Sequence, residues 1–227
     1  MEHLNILYED KDIIVCDKPA GIPVQTRKLG QADMESILKN HLASTSSGSR
    51  APYLAVIHRL DQPVSGLMVF AKNPKSAAEL SRQLTGSGFC KDYHAVCCGT
   101  LPNSVGTLVD YLVKDGKTNT SRVCSKDTPQ AKRAELSYEV IDTQHMGNGD
   151  TLTTVTVHLK TGRHHQIRVQ MAHAGVPLWG DNKYNPQFVQ TRGYTPISLR
   201  AYHHSFRHPA TGKQMNFTLE QPQGTAS

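Results

Sequence analysis

The chain has 227 residues, 37% of them hydrophobic, enough apolar material for one well-buried core, and it reads as a single compact domain over 1–227. Lys and Arg total 25 against 19 acidic residues, a formal net charge of +6 that suits a polyanionic partner and equally an ordinary basic surface. Cys16, Cys90, Cys97, Cys98 and Cys124 are odd in number with no C-x-x-C pair, which fits neither a disulfide framework nor a zinc site, and a charged N-terminus without any apolar run near ~20 residues gives no sign of a secretory leader or membrane span, so a cytoplasmic protein with reduced thiols is expected.

Leu4 to Leu7 and Ile13 to Cys16 are β-rich and flank a polar turn segment, which predicts a strand pair, and Lys18-Pro19-Ala20-Gly21 breaks the second strand. Asp33 is placed to cap a short helix carrying Ile37, Leu38 and Leu42, and the serine-rich stretch that follows predicts a flexible loop over 44–50. Leu54 to Ile57 and Leu67 to Ala71 read as buried strands, so the polar connection from His58 to Gly66 lies between two core elements. Asn73-Pro74 starts a helix that Gly86 ends. From Tyr93 to Leu159 strand follows strand, with hairpin turns at Asp115-Gly116 and Asn148-Gly149. Ile167, Met171 and Ala174 recur at helical spacing, predicting a helix with one buried stripe that stops at Gly175 and Pro177, with Arg168 on a neighbouring face. Two final strands, 197–206 and 214–219, enclose the turn 208–212. The pattern predicts an α+β chain with a large antiparallel or mixed sheet.

The segment His58-Arg59-Leu60-Asp61-Gln62-Pro63-Val64-Ser65-Gly66-Leu67 holds one carboxylate in a short polar loop beside an arginine, fixed between apolar strands, which is where catalytic groups concentrate. By composition alone the same residues describe a turn capped by Asp61 with Arg59 as a surface partner. The run HRLDQPVSGLMVFAK, however, resembles the signature of the pseudouridine synthases that act on ribosomal large-subunit RNA and transfer RNA, with Asp61 at the position of their catalytic aspartate. The block Thr161 to Arg168 (TGRHHQIR), followed by GVPLWGD from Gly175 to Asp181 and by Tyr184, is similar to that family's second long signature. Weaker agreement runs through Tyr8-Glu9-Asp10, Asp17 to Gly21, Lys91 to Val96 with Gly99, and Phe206 to Pro209, so the resemblance covers nearly the whole chain. Val64 stands where a threonine is common and Leu199-Arg200-Ala201 where leucine-histidine-alanine is common.

The resemblance implies a catalytic domain without a separate N-terminal RNA-binding domain, built on a long mixed, mostly antiparallel sheet with a central cleft and flanking helices. It implies isomerisation of uridine to pseudouridine in rRNA or tRNA, with Asp61 as nucleophile, Arg168 as its guanidinium partner and Tyr93 as the active-site tyrosine. The base turns over without gain or loss of atoms, so no cofactor is implied. Target uridines must be flipped or already unpaired, and Arg59 beside the nucleophile is placed to fill the vacated space or hold phosphate. His58, Arg163, Gln166, Lys18, Lys72 and Lys183 are further candidate RNA contacts, with ordinary surface polarity as the bland alternative for each lysine. Leu60 and Leu199 are candidate pocket-lining residues. A monomer acting on structured RNA, with no obligatory protein partner and no membrane, is expected.

The histidines tempt a metal reading, but His164-His165 and His203-His204 are adjacent pairs without the H-x-x-x-H spacing that converges on one ion, so no metal is expected. Two rival functions remain open at this stage. A base-releasing glycosylase would need a second carboxylate, for which only Asp181 is available, and Asp181 reads as a structural acceptor of backbone hydrogen bonds. An RNA-binding or ribosome-assembly factor would use the same basic surface without the chemistry.

Overall fold

The computed structural model describes residues 4–45, 51–189, 193 and 195–220. In chain order the elements are β1 (Asn5–Glu9), β2 (Ile13–Lys18), α1 (Met34–Thr45), β3 (Ala55–Val56), β4 (Ser65–Ala71), α2 (Pro74–Thr85), β5 (Phe89–Cys98), β6 (Val105–Asp115), β7 (Thr120–Cys124), β8 (Lys132–His145), β9 (Thr151–Leu159), α3 (Gln166–His173), α4 (Pro186–Val189), β10 (Leu199–Arg207) and β11 (Gln214–Thr218). The fold is α+β, with strand content far above helix. The contacts divide the chain into two compact units where the sequence reads as one body: the first runs to Lys91 and resumes at Ala201, and the second is Asp92–Arg200.

In the first unit β2 is a central strand. Ile13, Ile14, Val15 and Cys16 are all fully buried, so both faces are covered, and the strand is apolar throughout instead of alternating. It pairs antiparallel with β1 on one edge and with β4 on the other, Lys18 facing Gly66 at the end of the ladder. β10 lies beside β4, and β11 pairs antiparallel with it. The core under this sheet gathers Ile13, Val15, Leu67, Val69, Ala71, Leu80, Phe89, Phe206 and Leu219. Each of these side chains other than Ala71 contributes roughly 1.5–3 kcal/mol on burial.

The helices begin where the sequence says. Asp33 accepts from Ser36 N at 2.8 Å at the head of α1, and Asn73 accepts from Ser76 N at 2.8 Å ahead of Pro74, satisfying orphan N–H groups of the first turn. α1 buries Met34, Leu38 and Leu42. Of the loop expected over 44–50, residues 44–45 are the last of α1, and 46–50 lie outside the described residues.

The second unit is a meander of antiparallel strands in the order β5-β9-β8-β6-β7. Its expected turns are present: β6 ends at Asp115 and β8 at His145, and Gly149 takes φ +91° in the second connection. β6 passes so close to β8 that a Cβ on Gly106 would sit 2.5 Å from the Tyr138 ring.

Three expectations differ in detail. β3 shrinks to two residues. Ala174 falls beyond the end of α3 and is exposed, so it is not part of a buried stripe. α3 is buried not on one stripe but at every position from Gln166 to Met171, which takes Arg168 out of solvent at 2% exposure. Periodicity missed this because three of those six residues are polar: Gln166 and Gln170 pair with each other and with the neighbouring strands, and Arg168 pairs with Asp181. Among the described residues no helix is long and apolar enough to cross a membrane.

Candidate active site

The first unit holds Asp61 in the loop between β3 and β4. Val64 N donates to Asp61 O at 3.0 Å, closing a tight turn. The next residue is stitched to the β2 exit: Gly21 N donates to Gln62 O at 2.8 Å, and Gln62 Nε2 returns a bond to Gly21 O at 2.9 Å. Lys18 completes the clamp. Its ammonium is fully buried and donates to Pro19 O, Ile22 O and Gln62 O at 2.9, 2.7 and 3.1 Å, so all three hydrogens are used. Burial pulls its pKa down to about 8, while Asp61 and Asp17 pull it upward. By Coulomb reciprocity, that buried cation favours the ionised form of Asp61. Leu60 and Val64 are buried on either side, Asp61 is part exposed and Arg59 is exposed. The loop is held on the β4 side by Gly66 at φ +121°, where a Cβ would lie 2.2 Å from Ala201 O.

The second unit holds the other signature. His165 takes φ 53°, the left-handed conformation, at the head of α3 and turns the chain from the Thr161–His164 loop into the helix. Gln166 Oε1 accepts from Thr161 Oγ1 and Arg163 N at 2.8 and 2.9 Å, pinning that loop. Arg168 makes a bidentate bond to Asp181, Nε to Oδ2 at 2.8 Å and Nη2 to Oδ1 at 2.6 Å, and its Cζ lies 5.2 Å from the centroid of Tyr184. Asp181 also accepts the expected backbone bonds, from Lys183 N at 2.9 Å and Tyr184 N at 3.2 Å. Tyr184 OH accepts from Ser121 N at 2.7 Å and lies 2.7 Å from His165 Nδ1. Which of the two donates depends on the imidazole tautomer. Burial first, then the nearby charges of Arg168, His164, Lys183 and Lys114, push the His165 pKa down to about 2. Tyr93 is buried in β5 opposite Val157, and Leu199 is buried at the start of β10.

Four candidate RNA contacts are placed otherwise than expected. Lys18 is sealed under the Asp61 loop with its donors used. His58 is buried and accepts from Val69 N at 3.3 Å; its pKa is pushed down to about 3 by burial, so it is a neutral core residue. Gln166 is 3% exposed and works inside the loop and on Glu135 O and Gln170. Lys72 is paired with Glu9 at 2.7 Å and bonded to Asp10 O. In each case the side chain meets the protein's own polar groups, Val69 N for His58 and carbonyl or carboxylate oxygens for the other three, an outcome that residue type alone does not reveal. Arg59, Arg163 and Lys183 are exposed, Arg163 Nε bonding Arg133 O and Lys183 Nζ bonding Asn119 O.

One group of metal-type ligands converges among the described residues: Asp10, Asp12 and His208. Its hydrogen bonds account for it. His208 Nδ1 accepts from Ala210 N and Thr211 N, so the ring proton sits on Nε2, which donates to Asp10 Oδ2 at 2.8 Å. Binding a cation there would require stripping that proton from an imidazole whose other nitrogen is already an acceptor. The cluster is a clamp between β1 and the turn after β10. The five cysteines are free thiols, and burial pushes Cys16 and Cys97 up to about 12, which excludes both as thiolate nucleophiles. His204, weighed in the sequence only as a metal ligand, lies fully buried with its ring 5.0 Å from that of His58. No spacing signal marks it.

Comparison with known proteins agrees with the geometry. The family model described as RNA pseudouridylate synthase matches residues 12–173. A ribosomal large subunit pseudouridine synthase D of Vibrio cholerae is 34% identical over 96% of this chain and 68% of its own length. An uncharacterized RNA pseudouridine synthase of Bacillus subtilis is 31% identical, over 98% of this chain and 71% of its own. Human RNA pseudouridylate synthase domain containing 1 shares the fold with a TM-score of 0.78 at 21% identity, over 97% of this chain and 84% of that one. The chain belongs to the RNA pseudouridylate synthase family.

Proposed function

We propose that this RNA pseudouridine synthase converts specific uridines of ribosomal RNA, with transfer RNA as the second substrate class, using Asp61 as the nucleophile. The single observation that carries the reading is the held geometry of Asp61, a part-exposed carboxylate on a loop clamped by a buried lysine and two Gly21–Gln62 bonds. Ribosomal RNA comes first because relatives matched over nearly the whole chain are named for the large ribosomal subunit.

The reaction breaks the bond from ribose C1′ to N1 of uracil, turns the base, and joins C1′ to C5, whose hydrogen leaves to water as a proton while N1 takes one up. Atoms balance without a redox or group-transfer partner. Every route that a carboxylate can take, whether attack on sugar or base or removal of a ribose proton, requires Asp61 to be ionised. Arg168 and Tyr93 are the other two residues assigned to the reaction in this reading, Tyr93 by stacking on uracil. Leu60 and Leu199 are each assigned an apolar contact with the substrate base, and Arg59, Arg163 and Lys183 meet RNA phosphates. The protein acts as a cytoplasmic monomer, the whole chain serving as one catalytic domain.

The test is release of tritium from carbon 5 of uridine in ribosomal and transfer RNA transcripts, with folded Asp61→Ala alongside. Release by the wild type alone supports the reading. Release by both removes Asp61 as the nucleophile, and free uracil in the supernatant would mark a glycosylase. Stable RNA binding without release by either protein would favour an assembly factor.

A further inference from the structure

We propose that Asp181 is a positioning residue for the isomerisation, holding the Arg168 guanidinium by its Nε–Nη2 edge so that the rest of the group is kept in a fixed direction; this rests on the reading of Arg168 as a catalytic residue. Both ends of the pair are taken from water, with side-chain exposures of 2% for Arg168 and 0% for Asp181. Asp181 cannot swing, because Lys183 N and Tyr184 N bond its Oδ1 and its own N–H donates to Leu178 O at 3.2 Å. Gly180 just before it takes φ +73°, and a Cβ there would meet Pro196 O at 2.1 Å, so the backbone that carries the carboxylate is itself packed in place.

The flat face of the guanidinium is fixed separately. Tyr184 lies against it, and that ring is anchored by the bonds of its hydroxyl to Ser121 N and His165 Nδ1. One edge and one face are thus held, which is sufficient to orient a planar group. Freezing the long arginine side chain before substrate arrives removes its rotamer entropy cost from the reacting complex. A carboxylate on the inner edge also neutralises part of the charge that Arg168 offers elsewhere. If field strength alone mattered, a neutral acceptor would serve better. The arrangement favours direction over field.

The experiment is tritium release from uridine-labelled RNA, yielding kcat and KM across about pH 5 to 9, for wild type, Asp181→Asn, Arg168→Lys and the double variant. Asp181→Asn is expected to lower kcat on the order of 10- to 100-fold with KM within about twofold, and to move the acidic limb of the profile as the Arg168 guanidinium loses its fixed direction. The double variant is expected to be no slower than Arg168→Lys, because Asp181 acts only through that side chain. Folded Asp181→Asn with wild-type kcat and profile, or losses that simply multiply in the double variant, would overturn the proposal. Should Asp181→Asn fail to melt cooperatively, Asp181→Glu replaces it, keeping the charge but displacing the guanidinium: reduced kcat supports positioning and wild-type kcat overturns it. Wild-type kcat in Arg168→Lys would instead sink the reading of Arg168 itself, and the proposal with it.

Discussion

The ammonium of Lys18 bonds the main-chain carbonyl of Gln62 at 3.1 Å, tying a fully buried cation to the residue that follows Asp61. Replacing it with methionine keeps the volume and removes three donors, leaving the carbonyls of Pro19 and Ile22 to find water or go unpaired, while Gln62 O keeps the Gly21 N–H. Each orphaned buried acceptor costs ~1–3 kcal/mol, partly recovered by relaxation. Lys18→Met is therefore expected to lose about 3 kcal/mol of stability, a drop of roughly 6 to 12 °C in melting temperature. The two Gly21–Gln62 bonds survive the change, so kcat at a temperature well below the transition is expected to fall much less than stability. Scanning calorimetry beside tritium release separates the two, and an unchanged melting temperature would refute the clamp.

Gly66 marks the other end of the same loop. An alanine there must adopt φ +121° and place Cβ 2.2 Å from Ala201 O, which is backbone and cannot rotate away. Gly66→Ala is expected to cost more than about 4 kcal/mol, beyond the usual range for a point substitution. Expression as soluble protein with a near-native melting temperature would contradict this.

Much of the architecture was readable from residues because the signals were local. Asn73-Pro74, Asp33 and Asp115-Gly116 act on the turn in which they stand, and the apolar runs of β2 and β4 report burial on both faces. The fates of Lys18, His58 and Gln166 were not readable. Each looks like surface polarity in one dimension, and each is satisfied by a group brought from elsewhere: Gln62 lies 44 residues from Lys18, Val69 lies 11 from His58, and Glu135 lies 31 from Gln166. Asp181 was legible as a backbone acceptor because Gly180 precedes it, but its bond to Arg168 spans 13 residues across a loop and needed coordinates.

His58 and His204 predict acid sensitivity with a definite sign. Val69 N occupies Nε2 of His58, so its proton sits on Nδ1, which has no hydrogen-bond partner among the described residues; neither ring nitrogen of His204 has one. Burial depresses both, His58 to about 3 and His204 well below its usual value of 6.5. A depressed folded-state pKa means that the unfolded chain takes up the proton first as pH falls. The stabilising contribution is thus complete above 6.5 and declines between 6.5 and about 3, by at most about 1.4 kcal/mol per pH unit for each ring. His204→Leu removes one of the two buried rings and two unpaired polar atoms. It is expected to raise the melting temperature at pH 7 and to flatten its decline toward pH 4, as followed by thermal melts in a pH series. A steeper decline in the variant would show that the ring is charged in the folded protein.

Arg59 and its neighbour His58 make opposite predictions about RNA. Arg59 is exposed beside the nucleophile loop, whereas His58 and Lys18 are enclosed. A side chain that meets phosphate releases counterions, so removing it lowers the slope of log affinity against log salt by ~0.7 for a single strand or ~0.9 for a duplex. Arg59→Ala is expected to lose such a step, measured by RNA binding between about 50 and 200 mM salt. Lys18→Met, assayed where it remains folded, is expected to leave the slope unchanged although it too deletes a positive charge. The comparison turns on burial, since a cation that never meets the solution cannot exchange its counterions with RNA. Equal slope changes in both variants would mean that Lys18 reaches phosphate and that its three carbonyl bonds open when RNA binds.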